Sequence, residues 1–166
     1  MTASQSVLVL TTGGTIDKQY FDALSAYQVG GTMVARLLEI ARVTLPFEIV
    51  ELARKDSLEL DDEDRARIVE AVSQAQTDRI VITHGTDTMT VTAAALAGIE
   101  GKTIALVGAL APARFSESDA AFNLGMAFAT AQVAPAGVYI TMNGTVFPAD
   151  KVMKDRERGA FVTNPA

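Results

Sequence analysis

The sequence predicts an α/β fold in which helices cover both faces of one mainly parallel sheet. Apolar segments of strand length alternate along the chain with segments of helical length, and this alternation is typical of doubly wound sheets. The first apolar segment, VLVL at 7–10, has no alternating polar residues, as expected for a strand that is buried on both faces. We therefore expect a single doubly wound sheet of the flavodoxin or Rossmann type.

Each predicted element rests on its own pattern. The predicted strands are apolar segments at 7–12, 47–52, 79–83, 103–108 and 137–142. The predicted helices lie between them at 32–42, 61–75, 88–98 and 119–132. Apolar residues fall on one side of the first two helices, and the second opens with acidic residues that favour a helix N-terminus. Ala, Met and Phe dominate the last two helices, which suits packing on a sheet. A chain of 166 residues has the length of one domain.

The composition excludes several classes of function. Fourteen basic and twenty acidic residues give a net charge of −6, and basic residues form no cluster, so we expect neither nucleic acid nor a membrane surface as a partner. The chain has no Cys and one His, which argues against disulfides, thiol nucleophiles and metal sites. We expect no metal and no cofactor. The N-terminal MTASQS lacks the basic region of a signal peptide, so we predict a cytoplasmic protein.

Polar residues concentrate after the predicted strands. Ligands of doubly wound sheets bind outside the carboxyl ends of the strands, near the point where the strand order reverses. The segments at these ends are TTGGTIDKQY (11–20), RKDSLEL (54–60), THGTDTM (83–89), GALAPARFSESD (108–119) and NGTVFPADKVMK (143–154). The first of them extends from Gly13 to Gly31 before the next helix, which is long for such a connection. We predict that it forms a mobile lid.

Several of these residues also have simpler interpretations. The glycine pair at 13–14 lacks the third glycine of a dinucleotide fingerprint, and GIEGKT at 98–103 precedes a strand, so phosphate binding is not expected. A single histidine without partners, His84, is more often a hydrogen-bonded turn residue than a base. Thr86, Asp87 and Thr88 precede an alanine-rich helix and fit a helix cap. Lys154, taken alone, fits a solvated surface charge.

Two longer segments favour functional roles for these residues over the simpler interpretations. TTGGTIDK at 11–18 and VITHGTDTM at 81–89 resemble the two signature segments of the bacterial-type L-asparaginases. VGALAP at 107–112, FNL at 122–124 and MNGTVFPADKVMK at 142–154 resemble further landmarks of that family, in the same order. The resemblance covers essentially the whole chain but only the family's N-terminal domain. It implies that residues 1–166 form one such domain, without the smaller C-terminal domain that family members usually carry.

The resemblance implies a role for each matching residue. Thr15 matches the nucleophile and Tyr20 the lid tyrosine. Thr86 matches a threonine that takes part in acyl transfer, and Lys154 matches the lysine that works with it. Asp87 and Ser57 match the groups that bind the substrate α-amino and α-carboxylate groups. A substrate-binding contribution is also expected from Asp56 and from the loop amides around Gly85 and Ala109.

Elementary chemistry agrees with these roles. A threonine hydroxyl needs a neighbouring proton acceptor to become a nucleophile, and a lysine accepts a proton only where its pKa is lowered by burial. Amides of the loops at Gly85 and Ala109 are suited to bind the oxyanion, an interaction commonly worth about 3–4 kcal/mol per donor. The implied reaction is hydrolysis of L-asparagine to L-aspartate and ammonia through an acyl-enzyme, with L-glutamine as the alternative substrate.

Two departures from the family keep other interpretations open. Leu58 stands where the family commonly has glutamine, which removes one polar contact to the substrate, and Asp56 is the candidate replacement. The resemblance also implies that the second domain, which completes the family's active sites, is absent. The alternatives are therefore a catalytically weak or inactive amino-acid-binding module, such as a sensor or an amidotransferase component, and a truncated chain. Apolar surface on 88–98 and 119–132 predicts a homodimer or a dimer of dimers.

Overall fold

The computed structural model describes residues 5–165 and has the predicted α/β architecture. The strands of these residues are β1 (Val7–Gly13), β2 (Lys18–Phe21), β3 (Ala26–Val29), β4 (Phe47–Lys55), β5 (Arg79–Thr83), β6 (Thr103–Val107), β7 (Gly137–Met142), β8 (Thr145–Pro148), β9 (Val152–Asp155) and β10 (Ala160–Thr163). The helices are α1 (Val34–Ile40), α2 (Asp62–Gln74), α3 (Met89–Leu96) and α4 (Ala120–Val133). All five predicted strands and all four predicted helices are present, with ends that differ by a few residues.

The main sheet has six strands in the order β4-β1-β5-β6-β7-β8. The first five run parallel, and β8 pairs with β7 in the antiparallel direction. The chain leaves β1 toward β4 and then returns past β1 to β5, so the strand order reverses at β1. The loops that follow β1 and β5 therefore meet at the topological switch point, where ligands of such sheets bind.

Two apolar cores, one on each face, hold the helices to the sheet. Alternate residues of β1 supply both of them: Leu8 and Leu10 pack under α2 and α3, while Val7 and Val9 pack under α1 and α4. Burying each aliphatic side chain of this size contributes about 1.5–3 kcal/mol to folding. The absence of polar alternation in VLVL thus has a direct structural cause, since both faces of the strand are covered.

Helix α2 begins where its sequence predicts. The Asp61 carboxylate accepts a hydrogen bond from the Asp64 backbone N–H, and the Asp64 carboxylate accepts one from the Asp61 N–H. This reciprocal capping box satisfies donors that a helix N-terminus leaves without partners. Asp64 also binds Lys55 at 2.8 Å, and this contact lowers the pKa of Asp64 to about 2. The start of α2 is thereby tied to the end of β4.

Two hairpins have no counterpart among the elements predicted from the sequence. The segment predicted to be a lid loop contains the antiparallel pair β2 and β3, in which Tyr20 lies opposite Tyr27. Strands β9 and β10 form a second antiparallel pair near the C-terminus, in which Lys154 lies opposite Phe161. Both hairpins mix polar and apolar residues without a regular alternation, so their strands lack the pattern that revealed the buried sheet. No helix within residues 5–165 is long and apolar enough to cross a membrane.

Candidate active site

Two glycine-containing turns are in contact at the switch point. Gly14 follows β1 with a φ of +88°, a conformation that favours glycine, and a β-carbon added to it would lie 2.5 Å from the Gly85 backbone nitrogen. Gly85 lies in the loop that follows β5. The residue after each glycine is a threonine, Thr15 and Thr86. The close approach of the two backbones therefore brings the two signature loops together, and Thr15 lies half-buried at the start of a short 3-10 turn.

Thr86, Asp87 and Lys154 form one hydrogen-bonded cluster. Lys154 Nζ donates to Thr86 Oγ1 at 2.7 Å and to Asp87 Oδ1 at 2.8 Å. Strand β9 positions the lysine, whereas the loop after β5 positions its two partners. Thr86 is buried and the side chains of Lys154 and Asp87 are partly accessible, so the cluster combines a hydroxyl, a carboxylate and an ammonium group that are partly shielded from solvent.

Arg156 adds a second positive charge to this cluster. Its guanidinium Nη2 lies 3.6 Å from the same Asp87 Oδ1 that binds Lys154. The arginine side chain is 68% exposed, so this contact is weak by comparison. Sequence reasoning missed Arg156, although its position two residues after Lys154 was a usable signal, since alternate residues of an extended segment share a side.

Ser57 lies directly beside the Gly85 turn. A β-carbon on Gly85 would be 2.6 Å from the Ser57 β-carbon and 2.7 Å from its Oγ. The Thr88 backbone N–H donates to Ser57 Oγ at 3.3 Å, and the Thr88 hydroxyl donates to the Ser57 carbonyl at 2.8 Å. The interpretation of this stretch as a helix cap is wrong in its simple form, because the N-cap residue Thr88 makes no side-chain cap bond to α3. Its hydroxyl joins two loops instead.

Asp56 contacts the hairpin of β2 and β3 (residues 18–29), here called the lid hairpin. Its carboxylate lies 3.0 Å from Lys18 Nζ and accepts a bond from the Leu58 N–H. Partial burial opposes ionisation of Asp56, but the hydrogen bond from Lys18 and the bonds from backbone amides hold the pKa of this carboxyl below its usual value. Leu58 itself is 67% exposed. Asp56 is therefore ion-paired with the lid hairpin, and its role as a substrate-binding replacement for the expected glutamine stays a prediction.

Tyr20 belongs to the lid hairpin, which comprises residues 18–29. Its ring packs edge-on against Tyr27 with 5.3 Å between centroids, and half of its surface is exposed. Ala109, in the loop after β6, is buried. In this structure Tyr20 contacts its neighbour in the hairpin, and Ala109 packs with Ile16 beneath the first loop.

His84 is buried and fully hydrogen-bonded. Its Nδ1 donates to the Gly85 carbonyl at 2.7 Å, so its Nε2 accepts from the Thr92 hydroxyl, also at 2.7 Å. Burial lowers the pKa of His84 to about 4, which keeps the ring neutral. This geometry agrees with the prediction of a hydrogen-bonded turn residue. Within residues 5–165, no group of three His, Cys, Asp or Glu side chains is arranged to hold a metal ion.

Comparison with known proteins identifies the family to which the chain belongs. A family model described as asparaginase, N-terminal, matches residues 6–164. The chain belongs to the asparaginase family. The resemblance inferred from TTGGTIDK and VITHGTDTM is thereby confirmed.

The relatives of this asparaginase-family chain are at least about twice its length. An L-asparaginase of Thermococcus kodakarensis is 32% identical over 163 residues, which cover 92% of this chain and 48% of the relative. A probable periplasmic L-asparaginase of Haemophilus influenzae is 33% identical, with 90% and 46% covered. A glutamyl-tRNA(Gln) amidotransferase subunit of Saccharolobus solfataricus is 35% identical over 150 residues, with 81% and 32% covered. The chain thus spans about half the length of the two asparaginases.

Solved structures agree with the sequence comparison. The thermostable L-asparaginase of Thermococcus kodakarensis superposes with a TM-score of 0.80 at 28% identity, over 95% of this chain and 51% of that one. A probable cytoplasmic L-asparaginase of Campylobacter jejuni gives a TM-score of 0.78 at 28% identity, with the same coverage. The asparaginase-family chain therefore shares the fold of these enzymes over nearly all of its length.

Proposed function

We propose that this chain is an amidohydrolase that converts L-asparagine to L-aspartate and ammonia. The observation that carries the proposal is the Thr86–Asp87–Lys154 cluster, which lies beside the contact between the Gly14 and Gly85 turns. Amide hydrolysis through an ester uses a nucleophilic hydroxyl and a positioned proton-transfer group. The turn after Gly14 carries the hydroxyl of Thr15, and the cluster carries Lys154. Family membership and relatives named L-asparaginase support the same reaction.

Thr15 is the proposed nucleophile. Its Oγ attacks the side-chain amide carbon, the hydroxyl proton passes to the amide nitrogen, and the C–N bond breaks with release of ammonia. The aspartyl ester formed on Thr15 is then cleaved by water, which yields aspartate and restores the hydroxyl. Thr86 and Lys154 are proposed to relay protons, because a hydroxyl that accepts from an ammonium group directs its own hydrogen to another acceptor.

The remaining residues are proposed to hold the substrate. Asp87 is suited to bind the substrate α-amino group, since its carboxylate already attracts two cationic side chains. Ser57 is proposed to bind the α-carboxylate, and the amides around Gly85 and Ala109 to bind the oxyanion. Tyr20 is proposed to act from the lid. Asp56 is proposed to contribute to substrate binding, and its ion pair with Lys18 connects the lid to the Ser57 loop.

Ammonia release from the purified chain tests this function. With millimolar L-asparagine, we expect release between about pH 6 and pH 9, and none from Thr15→Ala. Equal release by the two proteins would remove Thr15 as nucleophile. Asparagine and glutamine differ by one methylene, which a pocket discriminates by about 1–3 kcal/mol. We propose a preference for asparagine, and equal kcat/KM values for the two amides would contradict it.

A second candidate is suggested by the amidotransferase relative. The Saccharolobus solfataricus protein shares 35% identity with most of this chain and is named as one subunit of a larger enzyme, so the domain also occurs in proteins with protein partners. In this candidate function the chain binds the amino acid and is catalytically weak or inactive alone. Calorimetry that detects aspartate binding by a chain that releases no ammonia would favour it.

Self-association and location are further parts of the proposal. Helices α3 and α4 contain no charged residue, and Val91, Phe122 and Val133 leave at least half of their surface exposed. We propose that copies of the chain cover these faces in a homodimer or a dimer of dimers, and light scattering at micromolar concentration tests it. One relative is named as cytoplasmic and another as periplasmic, so a cytoplasmic location is still the prediction made from the sequence.

A further inference from the structure

Three consecutive residues of the loop between β6 and α4 contact the lid region. The Ala113 N–H donates to the Ile16 carbonyl at 3.0 Å, just before the lid. The Arg114 guanidinium donates to the Gly31 carbonyl at 3.4 Å, just after it. The Phe115 ring packs edge-on against Tyr27, in the body of the lid, with 5.9 Å between centroids. Residues 113–115 therefore contact the lid region near its start, in its middle and near its end.

The Phe115 contact continues to Tyr20. Tyr27 and Tyr20 lie opposite each other in the hairpin register, and their rings are 5.3 Å apart. All three rings are about half exposed. A two-stranded hairpin is only marginally stable by itself, so contacts with a neighbouring loop contribute to its stability. Edge-on aromatic pairs stabilise a defined relative orientation. The three rings thus form a continuous link from the loop to the lid tyrosine.

The base of the lid is fixed independently. The Asp17 carbonyl accepts from the Gly30 N–H at 2.9 Å, and the Asp17 carboxylate accepts from the Met33 N–H at 2.8 Å. Strand β2 of the hairpin is connected to the Ser57 loop by the Lys18–Asp56 ion pair. The Phe115 ring contacts the other strand, β3, at Tyr27. A change at Phe115 is therefore expected to release the body of the hairpin and leave its base in place.

We propose that residues 113–115 are the seat of the lid and that Phe115 is a positioning residue, which sets the place of Tyr20 through Tyr27. The contact itself does not depend on the reaction, but its effect on turnover rests on the proposed function. If only the seated lid binds substrate productively, a lower seated fraction raises the apparent KM in proportion. The expected rise for Phe115→Ala is at most about tenfold, the upper limit set by one edge-on aromatic pair.

Hydrogen exchange and kinetics together test the seat. In Phe115→Ala we expect about two- to tenfold faster exchange of the amides at 18–29, with exchange in β1 and β5 unchanged. Phe115→Tyr keeps the ring contact and is expected to restore both exchange and KM. Phe47→Ala is the matched control, because Phe47 is 38% exposed, compared with 45% for Phe115, and lies at the opposite end of the sheet.

A double-mutant cycle identifies the partner. Tyr27→Ala and Phe115→Ala are each expected to speed exchange at the lid, and the double variant is expected to exchange no faster than the faster single variant. Additive effects, or unchanged exchange in Phe115→Ala, would overturn the seat. If the unmodified chain releases no ammonia, the proposed function fails while the exchange measurement still decides the seat. If the chain is active and Phe115→Ala matches it in both measurements, the seat fails and the function stands.

Discussion

The Lys154 ammonium group donates a 2.7 Å hydrogen bond to the hydroxyl oxygen of Thr86, a residue 68 positions earlier in the sequence. The same nitrogen binds Asp87 at 2.8 Å. A flexible, cationic side chain is ordered here by two partners on one loop, and the hairpin of β9 and β10 supplies it. The geometry joins the C-terminal segment of the chain to the switch point of the sheet.

Replacement of this lysine provides the first prediction. Lys154→Met keeps much of the side-chain volume but removes both hydrogen bonds and the charge. Because a positioned proton-transfer group contributes about 10²–10⁴-fold to rate, we expect kcat for asparagine to fall at least a hundredfold. Lys151→Met changes a lysine of the same segment that is exposed, and its activity should match the unmodified chain. A Lys154→Met chain that keeps most of its activity would remove the lysine from the mechanism.

Arg156 provides the second prediction, in which a substitution improves substrate binding instead of reducing activity. If the substrate ammonium binds Asp87, Arg156 competes for the same carboxylate oxygen at 3.6 Å. Because exposed ion pairs contribute about 0–1 kcal/mol, Arg156→Ala should lower KM by up to about fivefold while kcat changes little. Arg158→Ala removes a similarly exposed arginine that pairs with Asp155 instead, and should leave KM unchanged. A higher KM in Arg156→Ala would mean that the arginine assists substrate binding.

The sequence is sufficient for the fold and for the central cluster because both leave strong local signals. Buried strands such as 79–83 have no polar alternation, and α2 carries a capping box at Asp61 and Asp64. The meeting of Thr86 with Lys154 follows from family motifs placed at strand ends. These features depend on residue type and spacing, which the sequence contains.

Other contacts of the site depend on geometry that spacing does not encode. The lid hairpin escapes prediction, because residues 18–29 lack the apolar alternation of a half-buried strand. Asp56 is a candidate substrate ligand by sequence, but a hairpin places Lys18 within 3.0 Å of it. The Phe115 contact with Tyr27 joins residues 88 positions apart. Only the folded arrangement of the loops reveals it.

The contact of Gly85 with Ser57 provides a third prediction. A β-carbon at Gly85 would lie within 2.9 Å of three Ser57 atoms, including its backbone nitrogen, so Gly85→Ala must displace one of the two loops. We expect kcat/KM to fall at least tenfold, since small displacements of positioning groups are costly. Gly125→Ala is the control, because nothing lies within 4 Å of its added carbon and alanine favours the helix. Gly125→Ala should therefore retain activity and stability, and an equally active Gly85→Ala chain would show that the close contact is not needed.

The last prediction concerns the buried carboxyl of Asp17 at the base of the lid. Burial is the main cause that raises the pKa of Asp17 from 3.8 to about 6, against the lowering effect of its bond from the Met33 amide. The folded chain therefore holds this proton more tightly than the unfolded chain, and the resulting stability is present below about pH 4 and lost as the pH rises through about 6. The difference corresponds to about 2–3 kcal/mol in the free energy of unfolding.

Asp17→Asn tests this pH dependence, because the asparagine amide oxygen still accepts a hydrogen bond from the Met33 N–H. The asparagine side chain does not titrate. Urea unfolding at several pH values between about 4 and 7 should show that the unmodified chain loses stability relative to Asp17→Asn as the pH rises. Contributions from other carboxyls, including Asp64, are common to both proteins and cancel in the difference. Asp22→Asn, which alters an exposed carboxylate of the same hairpin, should parallel the unmodified chain. If the curve for Asp17→Asn also parallels it, the buried carboxyl is already accommodated as a charged group by its hydrogen bonds.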